Sequence, residues 1–435
     1  MRRFVPWWPG LAVLAAAGIA IPIAALADAG SSLPDMPRFV RPAADGGLEG
    51  DATGFYEGAR EFMAAWGRMP RAVFAADVLF VIAAAVALVV VWRRRPAYRP
   101  WLYPAAAFTL GVALAVEIHW MRATGAAVIG WPIVWSIPMF PVRVLGTLGP
   151  AAAWDIAVAL SLLFVALTVI AVAYLGRNAT RSSAVGLLAA ACWVGWPLLV
   201  GLIAGHHAWT NDQWFIGVGL HGYDEPLSTL LVTAGAALLL SPRVTSTRLA
   251  LAGIALSYAT SVKVSNALVV GIALVLIFVR GRVREAVPFL AGAVAFVPVV
   301  LVYWPKSYPK LYGNASAWPH DPFDVGHVVS SWTHSSIFTP HTLAIVVPLA
   351  VVGAFGLERP WETALVLAFL LVNPVFYSFF ANTPDHPRFL YASLPELFVL
   401  WAAGAALLLG SAQVLVRLHV EPHREQRELR PGDQE

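Results

Sequence analysis

Long apolar runs, divided by short arginine-rich turns and by longer polar loops, dominate the chain. A helix needs about 20 apolar residues to cross the hydrocarbon core of a bilayer. Runs suited to that task occupy residues 8–28, 72–92, 101–121, 151–175, 184–204, 226–241, 286–304, 342–357, 361–380 and 391–410, and the two shortest, 226–241 and 342–357, need their flanking residues to cross. Backbone that faces lipid must pair its own N–H and C=O groups, so these runs predict helices. Residues 248–280 form a further apolar block interrupted at Ser261-Val262-Lys263. The block is too short for two full spans and a turn, and it predicts a hairpin of two short helices meeting at Lys263. The fold expected is all-α and polytopic, with ten full spans plus one short membrane hairpin.

Polar segments refine this picture. Between the first two runs, Phe55, Ala59, Phe62 and Trp66 recur at i, i+4, i+7 and i+11, with Glu57, Arg60 and Glu61 on the other side. That period predicts a helix lying on the membrane surface. The first run itself, with Met1-Arg2-Arg3 ahead of it and Ala25-Leu26-Ala27 near its end, resembles a secretory signal. Its length and the many spans that follow favour a retained first helix. Residues 1–416 read as one transmembrane domain and residues 417–435 as a charged cytoplasmic tail.

Charge then orients the chain. With the N-terminus inside, 18 of the 29 basic residues fall in the short inside loops, among them Arg93, Arg94, Arg95, Arg181, Arg243, Arg248, Arg280, Arg284 and Arg359. The positive-inside rule makes those loops cytoplasmic. Lys263, Lys306 and Lys310 fall on the opposite side, as do the long loops 29–71, 122–150, 205–225 and 305–341 and the short 381–390. Composition agrees with lipid as solvent: 59% hydrophobic, 12% charged, mean hydropathy +0.70. Ala-rich spans and the excess of Arg over Lys point to a GC-rich bacterium and its plasma membrane. A single cysteine, Cys192, excludes an internal disulfide. No nucleic-acid motif, internal repeat or low-complexity tract occurs.

Chemistry therefore belongs to the outer loops, carried on a rigid helical scaffold. Asp51 precedes the loop helix and serves either as a helix cap or as a general base. Asp224 and Glu225 open a span, where the helix dipole alone stabilises an acid; acceptor or metal binding is the functional alternative. Lys263 either snorkels to the interface or acts as an intramembrane charge on substrate. His206 and His207, with Asp212 and His221, could furnish a metal site. Adjacent histidines point apart on regular structure, however, and no recognised ligand spacing is present. Trp209 and Trp214 in the same loop offer flat faces for a sugar or belong to an interfacial aromatic belt.

Four segments carry a family resemblance. They are Asp51-Ala52-Thr53-Gly54-Phe55 leading into Ala59-Arg60-Glu61-Phe62; Asp224-Glu225-Pro226-Leu227 at the start of a span; the short hairpin with Lys263 at its tip; and His386-Pro387-Arg388-Phe389-Leu390-Tyr391 followed by Leu394-Pro395. In this order the chain resembles the GT-C superfamily of membrane glycosyltransferases, which includes protein O-mannosyltransferases and lipid A aminoarabinose transferases. One departure stands out: the acid usually paired with the first aspartate is missing, since Ala52 follows Asp51, and Glu49 is the nearest substitute. The resemblance implies an inverting hexosyl- or pentosyltransferase with a polyprenyl-phosphate sugar donor and a lipid, glycan or protein acceptor. It implies Asp51 as catalytic base, Lys263 and Arg388 on the donor phosphate, and Glu225 near the acceptor. The cofactor expectation is none, with a divalent metal ion as the alternative. A transporter or flippase of lipid-linked sugars is the competing class; paired repeats and broken helices in both halves would mark it.

Overall fold

A computed structural model describes residues 7–32, 51–124, 126, 128–145, 149–204, 223–280, 283–312, 326, 340–357, 359–377 and 387–410. Among these residues every regular element is helical. The helices are α1 (Trp8–Ser32), α2 (Asp51–Arg68), α3 (Arg71–Arg94), α4 (Arg99–His119), α5 (Gly130–Leu145), α6 (Pro150–Thr180), α7 (Ser183–Ala204), α8 (Glu225–Leu239), α9 (Ser246–Val262), α10 (Asn266–Val279), α11 (Val283–Ala293), α12 (Val297–Tyr312), α13 (Pro340–Phe355) and α14 (Pro360–Tyr377). A 3-10 segment, Pro387–Ser393, leads into a last helix, α15, over residues 394–410.

The all-helical expectation holds; ten full spans are not shown among the described residues. Among the described residues four helical stretches are long and apolar enough to cross a membrane: Arg71–Arg94, Pro96–His119, Ala152–Thr180 and Leu390–Gly410. A fifth is the pair α11 and α12, if the two count as one span bent by 51°. The remaining apolar runs form shorter helices. The 15 residues of α8, for example, reach about 22 Å at 1.5 Å per residue, short of a core of about 30 Å. Punctuation explains the shortfall there, since Pro226 opens α8 and Ser241-Pro242 follows it.

Helix α3 displays the membrane character most plainly. None of its 24 residues is buried, and Leu79, Ile82, Val86 and Val89 are each more than half exposed. An apolar surface of that size is suited to lipid rather than water. Inside the bundle the largest apolar cluster joins α6, α7, α8, α9, α11, α14 and α15. Its helices approach closely through small residues: a Cβ on Gly253 of α9 would lie 2.2 Å from the Phe289 carbonyl oxygen of α11. Such contact is how helices pack where lipid removes the usual hydrophobic drive between them.

The loop helix predicted after the first run exists as α2, but its buried face differs from the one expected. Phe55, Ala59 and Phe62 are buried together with Tyr56 and Met63, whereas Trp66 is 40% exposed and lies against Phe74 and Phe140. The reason is the neighbour. The segment 122–150, expected as a loop, contains α5, and α2 lies on it. In α5, Trp131, Trp135 and Met139 at i, i+4 and i+8 are fully buried beneath Phe55 and Tyr56. At its other end α2 is tied down by charge. Arg68 pairs with Glu61 at 2.5 Å and donates to the Trp120 carbonyl at 3.1 Å, while Glu61 accepts from the Arg122 backbone at 3.3 Å.

Candidate functional site at the hairpin tip

Helix α9 starts where Thr245 accepts the Arg248 backbone N–H on its hydroxyl, a conventional N-cap. Arg248 also donates to the Ser241 hydroxyl and to the Arg243 carbonyl, so α9 starts beside the C-terminal end of α8. It stops at Lys263, whose backbone is extended at φ −151° and ψ 119°. There Lys263 meets Glu225, the first residue of α8. The two helices are therefore antiparallel. After Val264 and Ser265, α10 runs back toward Arg280, whose guanidinium lies 5.1 Å from the Trp361 ring at the start of α14. The block 248–280 is thus a hairpin with Lys263 at its tip, as its sequence predicts.

Lys263 Nζ lies 2.9 Å from Glu225 Oε1, with side-chain exposures of 9% and 2%. Taking two charges out of water costs several kcal/mol per ion, so such a pair persists only with good geometry and further hydrogen bonds. The hairpin tip supplies a buried polar setting. Asn266 donates to the Ser228 hydroxyl at 2.8 Å and to the Ala259 carbonyl at 2.9 Å. Ser265 donates to the Asn373 side-chain oxygen at 3.2 Å, linking the tip to α14. Thr229, also buried, follows Glu225 by one turn on α8. Lys263 is turned inward onto an acid and does not snorkel.

Two further predicted segments border the pair. The 3-10 segment that contains Arg388 packs against α8 and α14. Phe55 and Tyr56 of α2 share an apolar cluster with Tyr223 and Leu227, each two residues from Glu225, and with Val262, next to Lys263. The start of α5 is stapled to the same tip. Tyr258 donates to the Gly130 carbonyl at 2.9 Å, and a Cβ on Gly130 would lie 2.7 Å from the Val262 backbone nitrogen. Only glycine tolerates that approach without displacement.

Asp51 opens α2 and Arg388 lies in the 3-10 segment, but the side chains of both fall outside the described set. Glu49, His206 and His207 lie outside the described residues altogether. Asp224 is buried at the N-terminus of α8 and forms no side-chain capping bond. Among the described residues no three His, Cys, Asp or Glu side chains gather to hold a metal ion. Glu225 holds the Lys263 ammonium on one of its carboxylate oxygens.

Sequence reasoning missed Ser265, Asn266 and Asn373, which build the tip. The signal was present, because Ser265-Asn266 directly follow Lys263 inside an apolar block. It also missed Glu396, which is fully buried in α15 with neither carboxylate oxygen hydrogen-bonded among the described residues. An acid one residue past Leu394-Pro395 in an apolar run is legible as an intramembrane charge. Compared with known proteins, the chain matches no family model and no curated sequence.

Proposed function

We propose that the protein is a GT-C-type glycosyltransferase of a bacterial plasma membrane, with both termini cytoplasmic. It transfers a sugar from a polyprenyl-phosphate donor to an acceptor hydroxyl on the extracytoplasmic side. The observation that carries this reading is the buried Lys263–Glu225 pair at a hairpin tip, flanked by the segment of Arg388 and by the helix that Asp51 opens. The remaining short apolar helices complete the ten spans and hairpin when their flanks are counted.

In this mechanism the acceptor oxygen attacks the anomeric carbon as the bond from that carbon to the phosphate oxygen breaks. Asp51 takes the hydroxyl proton, and polyprenyl phosphate leaves with the electron pair. Lys263 and Arg388 neutralise the charge gathering on the phosphate, a role in which a planar guanidinium grips two oxygens at once. Glu225 keeps the Lys263 ammonium in place inside the bundle. Incubating membranes with labelled polyprenyl-phosphate sugars and analysing the products tests the reading. Asp51→Asn keeps the capping ability of the position and removes the base, so transfer should drop by about 10²–10⁴-fold while the protein folds. Transfer near the wild-type rate would remove Asp51 from the mechanism and turn attention to Glu49 and then Glu225.

The second reading, a transporter or flippase of lipid-linked sugars, has two broken elements on its side, the α11–α12 pair bent by 51° and the break at Lys263, but both lie in the second half of the chain. The same incubation separates the two. A flippase moves the donor intact across a vesicle and leaves the label on the polyprenyl phosphate.

A further inference from the structure

A cavity of about 630 Å³ opens between α6 and α8 at the end of the bundle opposite the Lys263 tip. Its walls are apolar, formed by Leu167, Ile170, Leu230 and Ala234 among others. Its mouth is basic, with Arg177, Arg243 and Arg248 together, and among the described residues no carboxylate lines it. Arg177 sits on α6 with its guanidinium 4.7 Å from the Trp7 ring, and Arg248 holds the 241–243 turn against the mouth through the Arg243 carbonyl. A guanidinium has five N–H donors, so these contacts leave capacity for an anion.

Length identifies the occupant. From Arg177 to Leu167 the groove follows ten residues of α6, about 15 Å at 1.5 Å per residue. One leaflet contributes about half of a core of about 30 Å. An apolar trough one leaflet deep with a cationic rim fits a phosphate-bearing headgroup with an acyl chain below it. Free phosphate would leave the apolar walls uncovered, and a zwitterionic lipid would bring its own cation to the rim.

We infer that the α6–α8 groove is a binding site for an anionic phospholipid, with the headgroup phosphate held by Arg177, Arg243 and Arg248. The positive-inside orientation assigns this lipid to the cytoplasmic leaflet, where basic pockets between membrane helices meet anionic headgroups. The site is independent of the sugar-transfer reading, because it lies at the other end of α8 from Glu225.

The test uses the full-length protein in a neutral detergent, with bound lipid counted by native mass spectrometry and thermal unfolding followed in parallel. Phosphatidylglycerol should be retained and should raise the unfolding temperature, whereas phosphatidylcholine with the same chains, or inorganic phosphate alone, should do neither. Arg243 is exposed, so Arg243→Gln should fold normally and weaken phosphatidylglycerol binding about fivefold. Ala234→Phe fills the trough while leaving the arginines in place, and it should expel the lipid. Equal retention of phosphatidylcholine would overturn the headgroup assignment, and an equal shift with inorganic phosphate would make this an anion site without a lipid. Phosphatidylglycerol retained by folded Ala234→Phe would overturn the groove as its location.

Discussion

Two ion pairs with buried carboxylates mark the two ends of α8, and the contrast between them separates a candidate site from a structural rivet. At the first residue of α8, Glu225 holds Lys263 at 2.9 Å; past its C-terminus, Arg181 reaches Glu362 of α14 at 2.5 Å. Both carboxylates are 2% exposed. The like burial of the two acids therefore does not distinguish the pairs, although Arg181 is 21% exposed and Lys263 9%, and a buried pair by itself is weak evidence even for stability. Their surroundings do. Arg181 also donates to the Leu240 carbonyl at 3.1 Å, just beyond the last turn of α8, where a cation meets the negative end of a helix. It occupies a left-handed backbone position at φ 55° that closes α6. These contacts fasten three helix ends together. Lys263 instead interrupts a helix, stands among buried Ser228, Ser265, Asn266 and Asn373, and lies where four separately singled-out segments approach one another.

Removing the acid from each pair should have the largest effect expected, and a greater one at Lys263 than at Arg181. Glu225→Ala removes the carboxylate from the buried Lys263 ammonium and should cost about 3–5 kcal/mol, whereas Glu362→Ala leaves Arg181, 21% exposed, within reach of water and should cost less. Thermal unfolding in detergent micelles measures both; a loss below 1 kcal/mol at Lys263 would mean that water reaches that cation. A middle-sized effect should sharpen the Lys263 side of the contrast. Gly130→Ala pushes a Cβ against the Val262 backbone, and overpacking of this kind costs about 1–3 kcal/mol. Because the displaced atoms adjoin Lys263, transfer activity should fall further than stability accounts for, whereas a loss of stability with full activity would separate α5 from the site. The smallest effect lies at the opposite end. Thr245→Ala removes the cap of α9 beside the arginine cluster, should cost about 0.5–2 kcal/mol, and should leave transfer unchanged in the remaining folded protein.

Much of this arrangement was legible in the chain because it depends on local pattern. The interruption at Lys263 announced the hairpin, since a charge inside an apolar block needs both a break and a partner. The arginine asymmetry sorted the ends: Arg181, Arg243, Arg248 and Arg280 do gather at one end of α8, α9, α10 and α14. Tertiary packing was not legible. The partner of Lys263 is 38 residues away, and no local signal joins it to Glu225 in preference to any other outer acid. Helix α5 lies in a segment that reads as loop, yet Trp131, Trp135 and Met139 maintain a buried helical period across Pro138 and Pro141. Once α5 is folded, α2 has a protein surface to cover, and its buried face rotates to include Tyr56 and Met63 while Trp66 moves to the rim. The extent of each span is not legible for a related reason: apolar composition shows which residues avoid water, but proline and packing decide where each helix ends.

The most direct measurement replaces each whole pair by apolar residues of similar size and compares sugar transfer in the two folded proteins. Replacing both partners spares the cost of a lone buried charge and is often neutral for stability. Lys263→Met with Glu225→Leu should give a folded protein whose transfer rate falls by at least about 100-fold, since a cation opposite the leaving phosphate is lost. Arg181→Met with Glu362→Leu should lose one hydrogen bond to Leu240, worth about 0.5–1.5 kcal/mol, and keep transfer close to the wild-type rate. A folded Lys263→Met, Glu225→Leu protein that transfers sugar at the wild-type rate would contradict the account. So would equal losses of transfer in the two folded double variants.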